Sequence, residues 1–192
     1  MTARVAWRVV RSQVRLRHAL WVLVSLAVFT LSALPGVVEA ATRNLFVHNV
    51  EHMTMALAGL LLGLPFGDLF RRGLGAWLSH SHQHSHQNSG RAALQARVRA
   101  VSWGIVVAAA VLDLIVMLPQ VSLAVSRRPV AHAVEHVFIY TLYVLFGGAL
   151  VTALRSRPLA WLVAAMYVVM LAMYVGDQNV VMSLRPAWGG AS

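Results

Sequence analysis

Two copies of one short motif contain four of the nine histidines and two of the six acidic residues in this sequence. The string His-x-x-Glu-His occurs at positions 48–52 and again at positions 132–136. On an α-helix, residues i, i+3 and i+4 share one face, so each motif directs two imidazoles and one carboxylate the same way. Imidazole nitrogens and carboxylate oxygens bind first-row transition metals. The pattern predicts a metal site with the ligands His48, Glu51, His52, His132, Glu135 and His136.

The spacing of the histidines limits the group that they could hold. Two stacked b-type haems would need histidines about 13 residues apart along each helix, and here the spacing is four. One haem b with a spare histidine pair fits, and so does a mononuclear or dinuclear centre that uses all four imidazoles. Imidazole suits copper, iron and zinc, whereas added carboxylates favour iron or zinc over Cu(I). The bound group could therefore be copper or iron, or zinc, with haem b as an alternative. The sequence assigns no catalytic residue.

Three further residues are candidates for supporting a metal centre. Asp113 precedes Pro119 by six residues, which places it roughly 9 Å inside the outer end of its helix, level with His136. Such a carboxylate could be a further ligand or could accept a histidine N–H. Met55 follows the first motif and Tyr140 lies one turn after the second. For all of these groups the structural alternative is interhelical hydrogen bonding and packing.

A second group of histidines lies in a polar stretch. The histidines alternate there with serine or glutamine, at His80, His82, His84 and His86. A tract of this composition could collect metal ions weakly, because nothing holds its imidazoles in a fixed geometry. The alternative is an unstructured polar linker.

The composition places these residues in a membrane protein. The 192-residue chain is 59% hydrophobic and only 11% charged, with a mean hydropathy of +0.68. A soluble domain is nearer half apolar and a quarter charged, so that class is excluded. All sixteen basic residues are arginine, and the net charge of +10 is typical of loop charge in a membrane protein rather than of nucleic-acid binding. Without cysteine there are no disulfides, thiolate ligands or iron–sulfur clusters.

Hydropathy predicts an all-α, polytopic membrane helix bundle with five transmembrane helices. A spanning helix needs about 20 mostly apolar residues, and five stretches qualify, at residues 19–35, 45–64, 101–118, 130–153 and 159–176. Twelve arginines lie on one side of these stretches and four on the other. The positive-inside rule therefore predicts a cytoplasmic N-terminus and an outside C-terminus, in a bacterial plasma (inner) membrane. This orientation places both motifs in the outer third of the bilayer.

The sequence repeats itself with an offset of 84 residues. Pro35, Arg43 and the first motif recur without a gap as Pro119, Arg127 and the second motif. We therefore expect a single membrane domain over residues 1–192, built from two parallel helix-pair repeats and a fifth helix. The first repeat covers about 19–64, a cytoplasmic His-rich loop about 66–99, the second repeat about 101–153 and the fifth helix about 159–176.

The pattern His-x-x-x-His-Met, here His48 to Met53, resembles the CtaG-like family of cytochrome c oxidase assembly factors. The second copy keeps His132 and His136 but has Val137 in place of the methionine. The resemblance covers mainly residues 35–67 and implies a polytopic protein that takes part in copper insertion into the oxidase on the outer face of the membrane. The longer members of the family have about seven helices.

These observations lead to one hypothesis and two alternatives. The first is an integral membrane metalloprotein with a His/Glu centre between the second and fourth helices, which serves respiratory-oxidase assembly or respiratory electron transfer. The second is a membrane oxidoreductase with haem b or non-haem iron that acts on quinol, dioxygen or a small molecule. The third is a metal-ion transporter. The expected partners are the lipid bilayer, other respiratory membrane subunits and a second copy of the chain in a homo-oligomer, and no nucleic acid.

Overall fold

The computed structural model describes residues 3–80, 90–126 and 128–183, and within these ranges all regular structure is α-helical. The all-α prediction is therefore confirmed for the described chain. The eight helices are α1 (Ala3–Ser32), α2 (Pro35–Arg43), α3 (Leu45–Gly63), α4 (Gly67–His80), α5 (Gly90–Val116), α6 (Pro119–Ser126), α7 (Pro129–Leu154) and α8 (Arg157–Ser183).

The number of candidate membrane spans is two to four in the described residues, not clearly the five predicted. Parts of α5 and α7 are long and apolar enough to cross a bilayer. Two more spans arise only if each of two bent helix pairs counts as one span. These pairs are α1 with α2, bent by 55°, and α3 with α4, bent by 73°. The apolar part of α8, Arg157–Met173, is shorter. Taken without α4, helix α3 has too low a mean hydropathy for a membrane-spanning helix. The reason is that its first two turns carry the polar motif residues.

Local sequence explains where the motif helices begin. Asn44 is extended, and its side chain accepts hydrogen bonds from the backbone N–H groups of Phe46 (2.8 Å) and Val47 (3.4 Å), which caps α3. Helix α7 begins at Pro129, a residue whose fixed φ suits a first helical turn. His48 and His132 are each the fourth residue of their helix. Both motifs therefore lie in the first two turns.

The segment 66–99, which the sequence predicts as a polar loop, is largely helical in the described residues. The limits predicted for the loop are therefore too wide. Helix α4 covers its first part, and α5 already begins at Gly90. Non-local contacts hold both segments: Asp68 pairs with Arg157 on α8, and Arg99 donates a hydrogen bond to the carbonyl of Ala153 on α7. Hydropathy could not predict these helices because charged residues, such as Asp68, Arg71 and Arg72 in α4, lower their mean hydropathy.

Helix α7 is the centre of the bundle and packs most closely on α3. A Cβ atom added to Gly59 would lie 2.5 Å from the carbonyl oxygen of Tyr140, so the two backbones are in contact there. Gly63 meets Val144 in the same way. The spacing Gly59-x-x-x-Gly63 predicts such a close helix contact, and the structure confirms it. Apolar side chains on the outer helices are exposed, as in Leu23 and Leu162, which is consistent with insertion in lipid.

Candidate metal centre

The two His-x-x-Glu-His motifs face each other across the α3–α7 contact. All six side chains are buried, and the most exposed of them, Glu135, shows only 7% of its surface. Buried ionisable groups are costly unless they are paired or bind a metal. The structure therefore brings together all six residues that the motif pattern singles out, in a water-poor part of the bundle.

Each carboxylate lies between the two imidazoles of the opposite helix. The Oε2 atom of Glu135 is 3.3 Å from Nε2 of His52 and 3.9 Å from Nε2 of His48. In the other direction, Oε2 of Glu51 is 3.3 Å from Nε2 of His132 and 3.4 Å from Nε2 of His136. The arrangement is reciprocal, so the site depends on both helices equally.

The imidazoles themselves form one continuous cluster. The ring centroids of His48 and His132 are 5.0 Å apart, and those of His52 and His136 are 6.2 Å apart. Within α7, the Nε2 atoms of His132 and His136 are 3.0 Å apart, within hydrogen-bond distance. At this distance two neutral imidazoles can form an N–H···N hydrogen bond. Two imidazoles that bind the same metal ion also approach each other closely.

Two overlapping groups of these side chains could hold metal ions. One consists of His48, His52, His132 and Glu135, and the other of Glu51, His132 and His136. Within each group the candidate ligand atoms lie within 4.8 Å of one another. His132 belongs to both groups, so two ions held here would be close neighbours.

The hydrogen bonds expected of a purely structural cluster are largely missing among the described residues. Both ring nitrogens of His48 and of His52 are buried without a hydrogen-bond partner, and so are both carboxylate oxygens of Glu51 and of Glu135. Buried polar atoms are nearly always satisfied in folded proteins. Atoms left without partners in this number, on residue types that bind metals, fit a cation at this position.

The three predicted supporting residues lie elsewhere in the contact network. Asp113 is buried but accepts a hydrogen bond from the hydroxyl of Tyr167 (3.0 Å), and it belongs to neither ligand group. The hydroxyl of Tyr140 bonds to Ser25 on α1 (2.9 Å). Met55 is buried in the apolar core. The supporting role predicted for these residues therefore stays a prediction, and the structure gives Asp113 and Tyr140 other partners.

Two polar residues near these networks, one buried and one partly buried, were not singled out by the sequence pattern. Asn49 follows His48 directly, and its amide oxygen has no partner among the described residues. The signal in the sequence that could have identified Asn49 is its polar side chain within a mostly apolar helix. Tyr167 lies on α8 beside Tyr143, with ring centroids 6.2 Å apart, and both hydroxyls adjoin Asp113. Nothing in the sequence indicates that pairing, because the three residues lie on three helices.

The polar histidine tract is mostly outside the described residues. His80 is the last residue of α4, and His82, His84 and His86 fall in the segment 81–89, of which no structure is described. The metal-collecting role predicted for this tract stays a prediction. The ninth histidine, His18, lies on α1 with its ring against Phe66, 4.7 Å between centroids.

Comparison with known proteins does not provide a relative from which a function could be transferred. No protein-family model, curated protein or solved structure matches the chain. The resemblance to the CtaG-like family therefore stays a prediction from the motif. The function has to be argued from the chemistry of the site.

Proposed function

We propose that the protein is an integral membrane metalloprotein whose centre between α3 and α7 binds first-row transition-metal ions. The observation that supports this most strongly is the set of buried, unpartnered nitrogen and oxygen atoms on both motifs. Two carboxylates enclosed by protein need a compensating positive charge, and a divalent cation bound by the neighbouring imidazoles would supply it. In the structure the Glu51 and Glu135 oxygens lie 3.3–3.4 Å from imidazole nitrogens of the opposite helix without good hydrogen-bond geometry.

The reciprocal geometry favours two ions rather than one. Each glutamate lies beside the two histidines of the opposite helix, so the distances divide the six residues into two sets of two imidazoles and one carboxylate, with His132 in reach of both sets. The 84-residue sequence repeat provides the reason, because a pseudo-twofold axis between the two helix pairs would relate one set to the other. A set of two histidines and one carboxylate leaves open coordination positions and is typical of non-haem iron.

The same contacts bear on the choice between metals. Carboxylate oxygens lie 3.3–3.4 Å from the imidazole nitrogens of three of the four histidines, so they occupy the space that a haem macrocycle would need between facing imidazoles. Carboxylate ligands also favour iron or zinc over Cu(I). We therefore propose iron or zinc as the resident metal, ahead of copper and of haem b.

The proposed role is in respiratory electron transfer or in assembly of a respiratory oxidase. Bound iron would supply one-electron redox chemistry, whereas zinc would not. The chain's own residues bind the ion, balance its charge through Glu51 and Glu135, and exclude water through the close α3–α7 contact. A membrane oxidoreductase with non-haem iron is the alternative that the same open positions favour. By the positive-inside rule, the many arginines at one end of the bundle support a cytoplasmic location for that end. The metal centre would then lie near the outer face of the plasma membrane.

Metal analysis of the detergent-purified full chain tests this proposal. We expect up to two equivalents of iron or zinc per chain and no Soret band in the absorption spectrum. His52→Ala should lower the bound metal, whereas the control His18→Ala, on a histidine outside the cluster, should not. Unchanged metal content in His52→Ala would refute the site, a Soret band would select haem b, and stoichiometric copper would restore the copper-delivery hypothesis.

A further inference from the structure

A cavity far from the metal centre lies between α1, the α3–α4 turn and α8. It has a volume of about 670 Å³, and its lining combines charged with aromatic side chains. Arg72, Arg157 and Asp68 lie on its polar side, and Trp21, Trp161 and Leu69 contribute to its apolar side. The cavity is thus amphipathic, with a polar part and an apolar part.

The polar part of the cavity carries a surplus of positive charge. Asp68 is the only acidic residue at this end of the described chain, and it is paired with Arg157 (2.5 Å) and with Arg71 (3.4 Å). Arg72 has no carboxylate partner among the described residues. Arg99 and Arg155 line the adjoining clefts with Arg71. Five arginines and one carboxylate therefore line the cavity and its adjoining clefts, so an anion would be attracted to Arg72.

The apolar part of the cavity leads to the outer surface of the bundle. The indole rings of Trp21 and Trp161 are in contact, with ring centroids 5.9 Å apart. Leu69 exposes 55% of its surface, and Leu162 next to Trp161 exposes 57%. Tryptophan is enriched where a membrane protein meets the head-group region, because its ring is apolar and its N–H is polar. An alkyl chain could pass from the cavity along this surface.

We propose that this cavity binds one anionic phospholipid. Its phosphate group would pair with Arg72, and an acyl chain would lie along Trp21 and Trp161 towards the exposed leucines. Basic pockets between membrane helices are a recognised way to hold anionic head groups, and each arginine near a head group contributes about 1 kcal/mol, or about fivefold in affinity. The site is separate from the metal centre, so it stands or falls independently of the proposed function.

Lipid binding to the purified full chain tests the proposal. Native mass spectrometry in detergent would compare phosphatidylglycerol with phosphatidylcholine of the same acyl chains. We expect phosphatidylglycerol to bind at least fivefold more tightly, and Arg72→Gln to reduce this preference about fivefold. The matched control is Arg43→Gln, which removes the same charge from α2, at an exposed position outside the cavity. It should leave the preference unchanged.

A fluorescence measurement keeps the proposal testable if Arg72→Gln does not fold. Phosphatidylglycerol with brominated acyl chains should quench tryptophan fluorescence of the unmodified protein more than brominated phosphatidylcholine does. The excess quenching should disappear in the double variant Trp21→Phe, Trp161→Phe. Equal quenching by both lipids, an unchanged preference in Arg72→Gln, or displacement of the lipid by millimolar inorganic phosphate would overturn the proposal, the last because it would indicate a site for free anions.

Discussion

The substitution Gly59→Ala should loosen the α3–α7 contact on which the proposed metal centre depends. The added Cβ would lie 2.5 Å from the Tyr140 carbonyl oxygen and 2.7 Å from the Tyr143 Cβ. Ordinary contacts to a Cβ begin near 3.4 Å, so the helices would have to separate by about 1 Å. Neither neighbour can turn aside, because one belongs to the backbone and the other is the first atom of a buried side chain.

The expected decrease in the free energy of unfolding is the cost of overpacking minus the gain in helix propensity. Overpacking of this kind costs about 3 kcal/mol at its upper end, and replacing a helical glycine by alanine returns up to about 1 kcal/mol. Gly104→Ala on α5 is the matched control, because a Cβ there meets no heavy atom within 4 Å. The propensity gain is common to both variants, so their free energies of unfolding should differ by about 3 kcal/mol.

Thermal unfolding in detergent and metal analysis of the same samples provide the assay. A difference of about 3 kcal/mol corresponds to roughly 6–12 °C in Tm for a chain of this size. Gly59 lies two turns, about 10 Å, after His52 along α3, so separation of the helices should also move Glu51 away from His132 and weaken metal binding tenfold or more. Equal Tm values for Gly59→Ala and Gly104→Ala, with equal metal content, would refute this account of the contact.

Three further predictions follow from the site and its surroundings. Glu51→Gln and Glu135→Gln should each remove about half of the bound metal, because each carboxylate faces its own histidine pair; a large loss in only one of them, measured by elemental analysis, would contradict the reciprocal arrangement. Deleting residues 81–89 should leave the tightly bound metal nearly intact, and loss of that metal would favour the transporter hypothesis instead. Tyr167→Phe should destabilise the bundle by about 1–3 kcal/mol, because buried Asp113 loses the hydrogen bond from the Tyr167 hydroxyl. Its metal content should not change, and a decrease would show that Asp113 supports the centre.

Much of the helical structure follows from the sequence for local reasons. All five hydropathic stretches lie within helices apart from their end residues, and Asn44 and Pro129 mark the starts of α3 and α7. The motif spacing places two imidazoles and a carboxylate on one face of each helix, because the helical period alone decides which residues share a face. The six candidate ligands could therefore be named without tertiary information.

Other features depend on how the helices pack, and no local pattern contains them. Only the packing of α3 on α7 places Glu51 between His132 and His136 rather than between its own neighbours. Asp113 lies level with the motif by helical rise, yet it bonds to Tyr167, because the orientation of α5 relative to α7 and α8 decides its partner. The arginine and tryptophan cavity likewise combines residues from distant parts of the chain. The sequence alone determines residue types and helical faces, whereas the relative placement of the helices decides which faces meet.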